Sequence, residues 1–172
     1  LSRVFGYPDF RPGQGEILEA VLRGEDVLAV MPTGSGKSLC YQLPALVDGG
    51  LTLVVSPLIA LMRDHVQQLR ALGVKAGALN SSNDGEEHAS VLRSLREGRL
   101  SLLYVAPERL ARPDAIRLLQ EARPRRIAID EAHCVSQWGH DFRPDYLGLR
   151  AAAEAIGPMQ KLAVTATADA PT

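Results

Sequence analysis

Residues 27–47, VLAVMPTGSGKSLCYQLPALV, constrain this chain more than any other stretch. Val27 to Met31 is a short apolar run that reads as a strand. The segment from Pro32 to Ser38 breaks it, and a helical pattern runs from Lys37 to about Val47. A strand, a glycine-rich loop, a lysine, a hydroxyl and a helix in that order form a phosphate cradle. Thr33, Gly34, Ser35 and Gly36 supply backbone N–H groups that can turn inward around phosphate oxygens. Lys37 can neutralise β/γ-phosphate charge, Ser38 can ligate Mg²⁺, and the helix adds the positive end of its dipole. The usual pattern has a further glycine at position 31, where this chain has Met31. A bare glycine turn would explain GSG but not GKS between a strand and a helix.

Such a loop belongs in an α/β fold, and the rest of the chain reads that way. Apolar runs at 51–55, 74–79, 100–105, 127–129 and 161–164 predict further strands. Helices are predicted from Pro12 to Gly24, from Leu58 to Leu72, from Asp84 to Glu97, from Pro113 to Ala122 and from Tyr146 to Ile156. Leu58, Leu61, Met62, Val66, Leu69 and Leu72 mark the apolar face of the second of these, and its polar face is either solvated or a ligand surface. Strands alternating with helices, with each candidate site just after a strand, predict a mostly parallel central sheet with helices on both faces. At 172 residues, without repeats or linkers, the chain reads as one domain.

A phosphate cradle binds nucleotide but does not hydrolyse it. Hydrolysis also needs a carboxylate for Mg²⁺ and a group that orients the attacking water. Asp130 and Glu131, at the end of the 127–129 strand, fit those two roles, Asp130 through a water of the Mg²⁺ shell. Taken alone they could be a solvated strand end; in a chain with GKS they read as catalytic, together with Lys37. The segment after them carries Trp138, the only tryptophan, with His140, Phe142 and Arg143. Aromatic and arginine side chains can stack on single-stranded bases, or they can anchor a loop to the core. Phe5, Tyr7 and Phe10 read as a hydrophobic staple onto the first helix.

The bulk properties exclude several classes. Net charge is −1, so any nucleic-acid contact must come from local patches. Cys40 and Cys134 are too far apart for a CxxC site and read as buried reduced thiols. The apolar stretch 51–62 is too short to span a bilayer, and LSRVFGYPDF lacks a signal core, so an intracellular protein without membrane partners is expected. Of 19 basic residues only Lys37, Lys75 and Lys161 are lysines, a skew that favours a GC-rich bacterial source. His65 reads as a surface or half-buried histidine.

The motifs FGYPDFRPGQ, MPTGSGKS, VVSPLIALMRDHV, YVAPERL, IDEAH, SQWGHDFRPDY and AVTATA occur in the order found in RecQ-type DNA helicases of superfamily 2, and the chain resembles that family over essentially its whole length. The resemblance implies the first RecA-like lobe of a P-loop NTPase, dependent on ATP and Mg²⁺, that unwinds DNA 3′ to 5′ in repair and recombination. It implies that Tyr7, Arg11 and Gln14 bind adenine. It places Lys37 and Ser38 at phosphate and Mg²⁺, and Asp130 and Glu131 at Mg²⁺ and water. His133, Thr165 and Thr167 match positions that communicate between lobes. Trp138, His140, Phe142 and Arg143 match a loop that senses single-stranded DNA. Residues 56–58 and 107–109 match DNA-tracking segments. The implied partners are single-stranded and duplex DNA and a second RecA-like lobe bearing an arginine finger. That lobe is not in this sequence, so a fragment of a longer chain is expected. The implied location is the bacterial nucleoid or, in a eukaryote, the nucleus. Ser35 stands where the family usually has glycine, and His65 where it commonly has glutamine.

Overall fold

The apolar runs form strands that assemble into one parallel sheet; its central strands are covered on both faces, whereas the edge strand Val27–Met31 leaves Leu28 and Val30 exposed. The computed structural model describes residues 14–31, 36–79, 85–131 and 148–166. Among these residues the strands are β1 (Val27–Met31), β2 (Thr52–Val55), β3 (Ala76–Leu79), β4 (Leu102–Val105), β5 (Arg126–Asp130) and β6 (Gln160–Ala166), in the order β1-β6-β5-β2-β4-β3. All five pairings are parallel. The central strands β2 and β4 are buried at every position, in keeping with their largely apolar composition; Thr52 is the polar exception in β2.

The helices lie on both faces. On one face α1 (Gln14–Leu22), α2 (Leu39–Val47) and α3 (Ile59–Ala71) pack Val21, Tyr41, Ala45, Met62 and Val66 against Ala29, Val54, Tyr104 and Ala128. On the other, α4 (Gly85–Arg96), α5 (Pro107–Leu110), α6 (Pro113–Ala122) and α7 (Leu149–Ile156) pack Val91, Leu95, Leu110, Leu119 and Ile156 against Leu53, Val55, Leu103 and Ile127. Gly98 ends α4 with φ +70°, a left-handed conformation that glycine adopts without a Cβ clash.

The expected elements are present, with corrections at their ends. Leu58 and Leu72 are 41% and 46% exposed: they flank α3, beyond the reach of the core, and half-buried Ile59 packs instead. Residues 107–110 form a one-turn helix that the periodicity does not mark, started by Pro107 at its first position. The sequence places the start of β5 at Ile127 and of β6 at Lys161, yet both strands begin one residue earlier, at Arg126 and Gln160. The helix predicted from Tyr146 is described from Leu149. The proposed cap Asp84 and the amino-terminal aromatics lie outside the described residues.

Arg126 is 1% exposed, an unusual position for a guanidinium. Its fork is filled: Nη2 donates to Asp48 Oδ2 at 2.6 Å, Nη1 to Thr52 Oγ1 at 3.4 Å, and Nε to Gln160 Oε1 at 2.9 Å. Gln160 Nε2 in turn donates to the carbonyls of Val21 (2.8 Å) and Glu25 (2.6 Å). One buried cation therefore clasps α1, α2, β2, β5 and β6 at the amino edge of the sheet. The carboxyl edge is left for the site.

Candidate nucleotide site

The topology brings two distant segments together at that carboxyl edge. β1 delivers the glycine loop and β5 delivers the acidic pair, with β6 between them. Gly36 has φ +69°, so the loop turns into α2 through a left-handed residue. Ser38 is the N-cap of α2 but makes no side-chain capping bond, so the helix does not occupy its hydroxyl.

Lys37 reaches across β6. Its Nζ lies 2.6 Å from Glu131 Oε1 and 3.7 Å from Asp130 Oδ1. Asp130 is buried, and its Oδ1 accepts the Glu131 N–H at 2.9 Å. Burial pushes the Asp130 carboxyl above the usual range; Lys37 opposes that push, and the neighbouring Glu131 charge adds to it. One lysine thus faces two carboxylates, of which the buried one is the harder to keep ionised. This donor set fits a hard divalent cation, which would add positive charge beside Asp130. Asp130, through a water, and the Ser38 hydroxyl are the groups here that could serve such a cation. Among the described residues no group of three or more His, Cys, Asp or Glu side chains could enclose a metal. Phosphate and water oxygens would therefore complete the coordination.

Glu131 has φ +57°, a left-handed conformation that is uncommon for a residue with a side chain. The normal preference order at this position should be inverted. Glu131→Gly is expected to be more stable than Glu131→Ala by about 1 kcal/mol, because both lose the carboxylate but only glycine is at ease in this backbone. The two variants compared by thermal melting check this.

Gln14 is buried, and its Nε2 donates to the Gly36 carbonyl at 2.9 Å. The amino-terminal motif is thereby connected directly to the phosphate loop. Thr165 is half-buried on β6, paired in register with Val30 of β1. Tyr7, Arg11, Thr33, Gly34, Ser35, His133, Trp138, His140, Phe142, Arg143 and Thr167 lie outside the described residues. In the two predicted tracking segments, Ser56 and Pro107 are buried, whereas Arg109 is half-buried with its Nη2 3.3 Å from His88 Nε2. Cys40 is a buried free thiol, as expected, and burial pushes it up to about 11, which leaves it unreactive. Cys134 is outside the described residues.

Sequence reasoning passes over a layer beneath the acidic pair. The Tyr41 hydroxyl donates to Asp130 Oδ2 at 3.2 Å. Tyr104 lies edge-on to Tyr41, with ring centroids 6.2 Å apart, and its hydroxyl accepts from Gln42 Nε2 at 3.0 Å. His65 is half-buried and edge-on to Tyr104 at 5.7 Å; burial lowers its pKa, and its Nδ1 has no hydrogen-bond partner. The available signal is Tyr41 itself, in the first turn of the helix that follows Lys37. A cleft of about 590 Å³ between α3, β3 and α4, lined by Arg70, Lys75, Glu87 and Ser90, contains none of these groups.

A six-stranded parallel sheet with a phosphate loop after β1 and an acidic pair after β5 defines a RecA-like P-loop nucleotide-binding domain. The chain belongs to the DEAD/DEAH box helicase family, whose description fits residues 11–172. It is 52% identical over 169 residues to the ATP-dependent DNA helicase RecQ of Haemophilus influenzae, covering 98% of this chain and 27% of that protein. To the probable ATP-dependent DNA helicase RecS of Bacillus subtilis it is 47% identical, over 98% of this chain and 34% of that protein. It therefore spans about a quarter to a third of the length of these relatives, and the part it matches is their N-terminal lobe. A hypothetical ATP-dependent RNA helicase from Sulfolobus tokodaii shares the fold, with a TM-score of 0.69 and 21% identity over 96% of this chain and 48% of that one.

Proposed function

We propose that this chain is the ATP-binding motor lobe of a RecQ-type DNA helicase that moves 3′ to 5′, acting in repair and recombination. The observation that carries the reading is the Lys37 ammonium held between Glu131 and Asp130 at the carboxyl edge, in a chain about half identical to DNA helicases. In this reading Lys37 exchanges its carboxylate partners for the β/γ-phosphates of ATP. Glu131, freed from the ion pair, orients the attacking water. Ser38 and, through a water, Asp130 would hold Mg²⁺, which would supply charge neutralisation at the transferring phosphoryl group. Tyr7, Arg11 and Gln14 select adenine. Trp138, His140, Phe142 and Arg143 report single-stranded DNA to Glu131, and His133, Thr165 and Thr167 communicate with a second RecA-like lobe. The site of action is the nucleoid of a bacterium.

ATPase assays of the full-length protein with single-stranded DNA, with RNA and with neither test this reading. Turnover is expected to rise with DNA and not with RNA, and Trp138→Ala is expected to remove the DNA response while nucleotide still binds. Stimulation by RNA alone would assign the lobe to an RNA helicase. The isolated 172 residues are expected to turn over about 10³–10⁵ times more slowly than the whole enzyme, because the transition-state arginine comes from the other lobe.

A further inference from the structure

We infer that Tyr41 is a positioning residue for the divalent-cation site: its buried hydroxyl fixes the orientation of the Asp130 carboxylate. This inference rests on the nucleotide–Mg²⁺ reading of the site and adds a residue to it. Asp130 is held at both oxygens, by different parts of the chain. Oδ1 accepts the N–H of Glu131 at 2.9 Å, within the strand end that carries it. Oδ2 accepts the hydroxyl of Tyr41 at 3.2 Å, from the helix that starts at the phosphate loop. At that distance the bond is long for O–H···O, so its role is to select an orientation rather than to add much energy. The two contacts together restrict rotation of the carboxylate about its final torsion, which is otherwise soft.

Tyr41 is itself fixed. It is 0% exposed, and Tyr104 closes one side of its ring at an interplanar angle of 72°. Tyr104 is held in turn by Gln42, the next residue on α2, and by the edge-on ring of His65 from α3. Lys37, just before α2, and Tyr41, in its first turn, are four residues apart and reach the two members of the acidic pair, Lys37 to Glu131 and Tyr41 to Asp130. A residue that hydrogen-bonds a metal-holding group commonly contributes 10- to 100-fold to metal affinity.

The test uses the full-length protein and a fluorescent ADP analogue, titrated with Mg²⁺. Tyr41→Phe removes only the hydroxyl. It is expected to raise the Mg²⁺ concentration at half-maximal enhancement of ADP binding by about 10-fold, while ADP affinity without metal stays within about twofold. Tyr104→Phe removes a neighbouring hydroxyl that does not bond Asp130 directly, and its Mg²⁺ midpoint should shift less than that of Tyr41→Phe. An unchanged midpoint in Tyr41→Phe, or an equal shift in Tyr104→Phe, overturns the positioning role. If Tyr41→Phe melts out, 3-fluorotyrosine at position 41 serves instead: the altered hydroxyl should move the midpoint, and no movement overturns the role. If the unsubstituted protein binds ADP no better with Mg²⁺ than without, the nucleotide–Mg²⁺ reading itself fails.

Discussion

Lys37→Ala in the full-length protein is expected to abolish ATP hydrolysis, with kcat falling by at least 10²- to 10³-fold, the usual consequence of removing a preorganised charge from a reacting oxyanion. The geometry explains the size of the effect. Both carboxylates of the acidic pair lie within 4.0 Å of the Lys37 ammonium, at 2.6 and 3.7 Å. Without it, Asp130 and Glu131 lose the positive charge they share, and burial already pushes the Asp130 carboxyl up. The loss should therefore appear in two measurements: steady-state ATPase at saturating single-stranded DNA, and nucleotide affinity. Lys37→Arg is not a conservative rescue, because a planar fork does not replace a compact ammonium between two carboxylates and a phosphate. DNA-stimulated turnover by Lys37→Ala within about tenfold of the unsubstituted protein would remove Lys37 from the proposed role.

The largest effect on stability is expected at the opposite edge of the sheet. Asp48→Ala leaves the Arg126 guanidinium buried at 1% exposure without its carboxylate. Breaking such a pair costs about 3–5 kcal/mol; the Asp48 side chain is 20% exposed, so the lower end applies, about 3 kcal/mol. For a domain of this size that corresponds to a fall in melting temperature of roughly 6–12 °C. Calorimetry of the full-length protein should show it as a shift in the transition of this lobe. The double variant Asp48→Leu/Arg126→Leu is expected to recover much of the loss, because both charges leave together. A shift below about 2 °C for Asp48→Ala would mean that water reaches the guanidinium.

The contrast between these two edges also explains what can be read from the sequence. The phosphate loop and the acidic pair use residue types and spacings that the chemistry dictates, so Lys37, Ser38, Asp130 and Glu131 are legible one by one. The strands are legible because β2 and β4 are apolar at nearly every position. Arg126 and Gln160 are not, because periodicity reads a charged or amide residue as a strand end, and here buried Arg126 and half-buried Gln160 are tied in by partners 34 to 139 residues away. Tyr41 escapes notice for a related reason: its partner is 89 residues distant, and nothing in the neighbouring sequence indicates that a tyrosine hydroxyl is engaged. The one-turn helix at 107–110 is shorter than a helical period pattern can register. Leu58 and Leu72 fit the apolar stripe by spacing but sit where the core ends. Gln14, which the family resemblance assigns to adenine, has a bond to the loop carbonyl of Gly36 that no motif would reveal.

The left-handed backbone at Glu131 has an implication for how this chain can change over generations. At most positions selection for folding and selection for activity point the same way or ignore each other. At position 131 they diverge: the backbone favours a residue with no side chain, and the reaction proposed here requires a long carboxylate. A lineage released from the need to hydrolyse ATP would be free to drift there toward glycine, retaining a folded lobe that no longer turns over. Glutamate in this strained position is therefore a mark of active use, and its replacement would be an early sign that a copy of the gene had become a binding module.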